Sequence, residues 1–517
     1  MANPALFKSL VGKLLPAATT VNEAGGKAYE PTPEQALAQY VVTGCLNGTF
    51  YASAEDQLAN ILDLAKGVDS ELISKLAVYA REKAWMKDAP ALLCALLSVR
   101  NPAALARVFP RVIDNGKMLR NFVQIIRSGA VGRKSLGSLP KRLVAEWIAS
   151  KDDAALFRAS VGQSPSLADV IKMVHPKPKD EARKALYGYL IGKEVVNGDL
   201  PQVVQAFEAY KAKQTGEVPD VPFEMVTALP LGKEEWTTIA KNASWQMTRM
   251  NLSTFARHGV FEGEGMAELV AKRLSSAKEV AKARALPYQL LVAYRSVSEN
   301  VPSIVKDALQ DAMELAIVNV PQIDGKVFIC PDVSGSMRSP VTGYRRGSNS
   351  AVRCIDVAAL TAAAIMRANP NAEVIPFERK AVNVKLNPRD SVMTNAEKLS
   401  AIGGGGTNCS APLELLNSTR AKGDLVIFVS DNQSWADATQ NRGTALMNEW
   451  SLFKSRNPKA RLVCIDVQPY GKVQAAEGAD VLNIGGFSDE VFRLLGEFAT
   501  GGLGAGSWVS RIEAIDI

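Results

Sequence analysis

Histidine is almost missing from this chain: His175 and His258 are the only two in 517 residues. That excludes a multi-histidine metal centre and leaves little room for a histidine-based nucleophilic triad. Cysteine is scarce and scattered. Cys45, Cys94, Cys330, Cys354, Cys409 and Cys464 include no CxxC pair, so neither a disulfide framework nor a zinc site is suggested, and free buried thiols are expected. No uninterrupted apolar run reaches the roughly 20 residues of a membrane span. Residues 1–20, with Lys8 and Lys13 among short apolar pieces, lack the continuous stretch of a secretory signal. A cytoplasmic location with no membrane partner is expected.

What is present is a globular composition, 47% apolar and 22% charged, in a chain too long for one core. The net charge of +7 is small but uneven. Of 60 Lys+Arg and 53 Asp+Glu, residues 1–320 carry 39 and 33, and residues 321–517 carry 21 and 20. Residues 101–150 alone hold nine basic and two acidic side chains, among them Arg107, Arg111, Lys117, Arg120 and Arg127. Lys172, Lys177 and Lys179 follow. Such a concentration suits an anionic polymer, because neutralising phosphates releases condensed counterions. On charge alone, a solvated helix face is the competing reading.

Periodicity divides the chain where charge does. From about Pro33 to Val318 apolar residues recur at helical spacing, as in Leu72, Leu76 and Tyr79 after a capping Asp69. Breaks at Gly67, Asn101-Pro102, Gly129 to Gly137, Pro176 to Pro178 and Pro219 to Pro222 leave segments suited to paired helices of a solenoid. No repeat of fixed period accompanies them. Beyond Pro321, short β-branched runs alternate with helical stretches: Lys326 to Cys330, Cys354 to Ala368, Ala372 to Phe377, Asp424 to Ser430, Trp450 to Lys454 and Arg461 to Val467. Buried parallel strands with crossover helices read this way. The expected domains are therefore an all-α array over 1–320 and a doubly wound α/β domain over 321–517.

In an open parallel sheet, ligands sit beyond the carboxyl ends of the strands. Polar residues fall there: Asp332-Val333-Ser334-Gly335-Ser336 after one strand, Asp431 after another, and Gly403 to Gly406 with Thr407 between them. Asp332, Ser334, Ser336, Thr407 and Asp431 form an all-oxygen set suited to a hard divalent cation, Mg²⁺ first and Mn²⁺ second. The glycine run lacks the Lys-Ser/Thr of a Walker A loop.

This set resembles the metal-ion-dependent adhesion site of von Willebrand factor A domains. Gly405-Gly406-Thr407-Asn408-Cys409 and Ser430-Asp431-Asn432-Gln433-Ser434 are similar to the A domain of the Ro autoantigen family. Gly48-Thr49-Phe50-Tyr51, Gly129 to Trp147, Val170 to Pro178 and Met247 to Leu252 resemble the TROVE module that precedes it.

The resemblance implies a ring of HEAT-like helical repeats with a basic central hole, closed by the A domain, in a monomeric RNA-binding scaffold without catalytic residues. It implies Y RNA on the outer basic surface and single-stranded 3′ ends of structured or misfolded non-coding RNA in the hole. An exoribonuclease of the polynucleotide phosphorylase type would be tethered through RNA, for quality control or maturation. Carried over by motif, Y RNA contacts fall to Arg133, Lys134, Lys141, Arg142, Lys172, His175 and Lys177. Lys241 and Arg249 are the candidates for RNA ends, and Trp245, Met247 and Met250 are expected to be core. Two departures stand out: Ser166 lies near where eukaryotic members carry histidine, and Asn408 and Gln433 stand where acids are frequent. The alternatives are a metal-dependent protein-binding module and a metal-dependent nuclease. A lone site without a nearby His or Glu base serves the nuclease poorly.

Overall fold

Helix starts are written into the sequence as caps. Asp69 accepts from the amides of Glu71 and Leu72 and opens the helix Ser70–Glu82, whose Leu72, Leu76 and Tyr79 are buried. Asn101 closes the helix Asp88–Arg100 and caps Pro102–Val112 by accepting from Ala104. The computed structural model describes residues 16–44, 46–213, 218–283, 287–317, 320–344, 352–434, 443–468, 470–501 and 508–517. Cys45 lies outside them; the other five cysteines are free and buried. No helix among the described residues is long and apolar enough to cross a membrane.

From Pro33–Thr43 to Ser303–Ala316 the described elements are helices, each packed on near neighbours in sequence. Ser70–Glu82 meets Asp88–Arg100 and Pro102–Val112, and Ser138–Ser150 meets Pro102–Val112 and Leu167–Val174. Ahead of them stands a hairpin that the periodicity did not reveal, β1 (Thr20–Val21) and β2 (Lys27–Ala28), too short to leave an alternation pattern.

After the last of these helices comes a parallel sheet ordered β4-β3-β5-β6-β7, from β3 (Val327–Pro331), β4 (Glu373–Val374), β5 (Leu425–Ser430), β6 (Arg461–Asp466) and β7 (Val481–Gly485). The strand β7 was not foreseen. β3, β5 and β7 are buried throughout, as strands covered on both faces should be. Val327 and Ile329 join the core shared with the helix Cys354–Ala368, while Phe328 and Cys330 face the helices Ala411–Ser418 and Ala445–Arg456. The strand order reverses between β3 and β5, the switch point where a ligand crevice opens.

Both ends of the helical array rest on this α/β domain. The helix Pro33–Thr43 packs on β7, and Ser70–Glu82 packs on the C-terminal helix Val509–Glu513. At the other end Pro287–Ser296 packs on Cys354–Ala368, and Ser303–Ala316 on Val392–Ser400. The array thus leaves the α/β domain and returns to it, making a ring closed by that domain.

Candidate functional site

Asp332 and Asp431 follow β3 and β5, the two strands that flank the switch point. Asp332, Ser334, Ser336, Thr407 and Asp431 are all buried, and the structure brings the first three together with Asp431. Ser334 Oγ lies 3.3 Å from Ser336 Oγ, the Ser334 amide donates to Asp332 at 2.8 Å, and the Ser336 hydroxyl lies beside Asp431. Ser430 Oγ donates to the other Asp332 oxygen at 2.6 Å. The loop carrying Thr407 is drawn in by backbone contacts: the Gly404 amide donates to Val333 at 3.1 Å and the Gly335 amide to Gly405 at 2.8 Å. Gly403, at φ 84°, allows that approach, since a side chain there would run into the Val333 carbonyl. The glycine run therefore serves the packing of one site loop on the other.

Burial pushes both carboxyls above their ordinary range, Asp332 further because Asp431 is charged nearby. Among the described residues no cationic side chain acts on either. Two enclosed like charges ringed by hydroxyls are a donor set that fits a hard divalent cation.

Sequence reasoning missed what covers these loops. Tyr51, from the connection between Pro33–Thr43 and Ala54–Lys66, lies beside Ser336; its burial and the Asp431 charge push its phenol up to about 12, so it stays a neutral hydroxyl. Its ring meets Tyr470 edge-on at 5.5 Å. Asn22 donates to the Ser434 carbonyl at 2.6 Å, and the Glu23 amide to Gln433 Oε1 at 2.8 Å. Gln433, where an acid was noted as frequent, thus serves as an acceptor for the N-terminal hairpin. Asn408 Oδ1 accepts from the Ser410 amide at 3.1 Å. A third buried carboxylate, Asp466 at the end of β6, accepts from Asn432 and Gln39.

A second feature is a cavity of about 490 Å³ lined by the cations Arg81, Lys87 and Arg111 and the acids Glu82, Asp88 and Asp114 from one limb of the ring, Gln246 and Gln289 from the other, and Thr342 and Phe487 from the α/β domain. Arg81 is paired with Asp114 at 2.7 Å and Arg111 with Glu82 at 2.8 Å. Lys87 has no such partner among the described residues. Desolvation, with Lys117 and Arg81 close by, lowers its pKa against the opposing pull of Asp88 and Asp114. Arg249 sits in an adjoining pocket with Met250, Ser253, Gln289 and Thr342, and donates to the Gln289 carbonyl at 2.8 Å. Lys241 is exposed and does not line either space. Trp245 is core, donating to the Leu274 carbonyl at 2.9 Å, whereas Met250 is 68% exposed.

The remaining basic candidates lie on the helices Ser138–Ser150 and Leu167–Val174 and the loops beside them. Lys134, Lys141, Arg142, Lys172, His175 and Lys177 are exposed. Arg133 differs. Its guanidinium donates to the carbonyls of Ser135 at 2.8 Å, Ser98 at 3.0 Å and Leu136 at 2.7 Å. Ser166 caps Leu167–Val174 in a capping box with Asp169. His175 terminates that helix at φ 51°.

Residues 326–499 match the family described as the Ro60 vWA domain, and residues 224–354 match the TROVE domain. The RNA-binding protein RO60 of Deinococcus radiodurans is 26% identical, covering 93% of this chain and 95% of that protein. The RNA-binding protein RO60 of Caenorhabditis elegans is 23% identical over 62% of this chain and 52% of its own. The crystal structure of the Deinococcus radiodurans RO (RSR) protein shares the fold, with a TM-score of 0.62 at 22% identity over 91% of this chain and 100% of that one. A helical array ending in a TROVE match, followed by a Ro60-type A domain that closes it, places this chain in the Ro family.

Proposed function

We propose that this protein is an RNA-binding Ro scaffold without catalysis of its own. It holds a structured RNA of the Y class on its outer basic surface and takes single-stranded 3′ ends of non-coding RNA into the ring. The observation that carries the reading is the cavity between the two limbs, where Lys87 makes no ion pair among the described residues while Arg81 and Arg111 are paired, although Asp88 and Asp114 stand nearby. A phosphate in the cavity would give Lys87 the direct partner it lacks.

The outer surface is supported by the start of the helix Ser138–Ser150. Gly137 offers no side chain as a cap, so the first-turn amides keep their positive end open beside Lys134, Lys141 and Arg142. Selectivity there comes from RNA shape, since an A-form major groove is too narrow for side chains to read. The relatives named RNA-binding proteins support the same conclusion. The metal site is a Mg²⁺ site, with Mn²⁺ as a substitute. Around it stand serines, a threonine and Tyr51, none of which is a base at neutral pH, and the third carboxylate, Asp466, is taken up as an acceptor for Asn432 and Gln39, which favours the scaffold over a nuclease. An exoribonuclease would join through the bound RNA.

Sequencing the RNA that co-purifies with the protein from its own cells tests this reading. Enrichment of small structured non-coding RNA is expected. A nucleic-acid-free protein, or RNA in simple proportion to cellular abundance, would overturn it.

A further inference from the structure

A cavity of about 280 Å³ opens where three distant parts of the chain meet: the segment from Tyr29 into the helix Pro33–Thr43, the ends of β6 and β7, and Trp508 ahead of the C-terminal helix. It shares no lining residue with the cavity between the limbs, and none of the five proposed cation ligands lines it. Its walls are apolar and aromatic, with Tyr29, Val473, Ile484 and Trp508 all buried. Its charge is of one sign. Asp466 is buried at the floor, Glu30 and Glu477 reach solvent at the mouth, and among the described residues no Lys, Arg or His lines the space.

The same cavity carries acceptors without donors. Gln39 donates its Nε2 to Asp466, and Asn483 donates its Nδ2 to the Ala475 carbonyl at 3.0 Å and to Glu477 at 2.7 Å. These bonds fix which end of each amide is the oxygen. Gln39 and Asn483 are only 5% and 8% exposed, and Gln39 Oε1 and Asn483 Oδ1 have no donor among the described residues. A buried acceptor left unmade costs the full desolvation of the group. Each Asp466 oxygen accepts one bond, from Asn432 or Gln39, and keeps a second lone pair. Burial and the Asp431 charge raise the Asp466 carboxyl above its ordinary range, an effect that a cation nearby would reverse. The cavity therefore lacks a donor that carries positive charge. Its three acids are not gathered as metal ligands. Apolar walls between an acidic floor and an acidic mouth suit an aliphatic body with a charged donor at each end. We propose that this cavity binds a small organic dication of the aliphatic diamine class, one ammonium at Asp466 and Gln39 and the other at Glu30 and Glu477. Because the helix Pro33–Thr43 packs on β7 beside it, the occupant fastens the N-terminal limb of the ring to the α/β domain.

The test is titration calorimetry on the full chain freed of nucleic acid, with Mg²⁺ saturating throughout. Putrescine, the four-carbon diamine, is the probe, and butylamine and butanol are its comparisons. One putrescine per chain is expected, with butylamine weaker and butanol not binding. Asp466→Asn should weaken putrescine by at least about tenfold, as the loss of a buried charged partner does. Glu30→Gln, at an exposed position, should weaken it about twofold to fivefold and leave butylamine unchanged. Thermal midpoints without ligand establish that each variant folds; should Asp466→Asn not fold, Glu30→Gln decides alone. Butanol binding as tightly as putrescine would overturn the cationic ligand. Putrescine binding that the folded variants leave unweakened would overturn the site. No putrescine binding to the wild type would overturn the proposal, the cavity then holding water only.

Discussion

Arg295, on the helix Pro287–Ser296 near the end of the helical array, donates to the buried Asp356 carboxylate of the α/β domain at 2.6 Å. Asp356 also bonds Arg353, and Arg295 reaches Ser400 at 2.5 Å. This joint fixes the C-terminal limb of the ring to the domain that closes it.

Burial alone would raise the Asp356 pKa, but hydrogen bonds from Arg353 and Arg295 outweigh it and hold the carboxyl below its ordinary value. A depressed carboxyl contributes stability above its unfolded pKa near 3.9 and loses it as pH falls through the folded value. Arg295→Ala should cost about 2–3 kcal/mol at neutral pH, less than a fully broken buried pair because Arg353 remains. Denaturant unfolding at neutral pH and at about pH 3 measures this, and the variant's deficit should shrink at the lower value.

Asp431→Asn removes one of the buried like charges while keeping an acceptor for the Gln433 amide. Without metal, the thermal midpoint of the variant should equal or exceed that of the wild type. Saturating Mg²⁺ should raise the wild-type midpoint, with about 2.7 kcal/mol of stabilisation at a hundred times the dissociation constant. The variant should not respond.

Arg133 was expected to contact RNA, yet three of its donors serve carbonyls of its own loop and of Ser98. We expect Arg133→Ala to destabilise the protein by about 1–3 kcal/mol by orphaning those carbonyls. A side chain at Gly137, at φ 70°, would meet the same guanidinium, so Gly137→Ala should destabilise as well. Both effects are read in denaturant midpoints without RNA.

The parts of the fold legible in sequence were those encoded by contiguous residues. Cys354 to Ala368 reads as a helix because it is largely apolar, rich in alanine and free of glycine and proline up to Asn369, and that is where the helix ends. Asp332 and Asp431 could be found because each follows its own strand. The strand β7 escaped because Asn483 and the flanking glycines interrupt a short run, and only its pairing with β6 makes it a strand. Tyr51 and Lys87 escaped for a different reason. Each matters through neighbours hundreds of residues away or on another limb of the ring, and no local pattern records that. Arg133 shows the converse: a guanidinium within a basic run looks solvated in sequence, and here carbonyls hold it.

The central claim is that one chain holds RNA in two places, and one binding measurement tests it directly. Fluorescence anisotropy of a labelled RNA hairpin, with and without a single-stranded 3′ tail, should be compared for wild type, Lys141→Ala/Arg142→Ala and Lys87→Gln. Wild-type affinity should fall steeply between about 50 and 200 mM salt. The Lys141/Arg142 pair should weaken binding of both RNAs, while Lys87→Gln should remove only the advantage of the tail. Equal affinity of all three proteins for both RNAs, or binding insensitive to salt, would contradict the account.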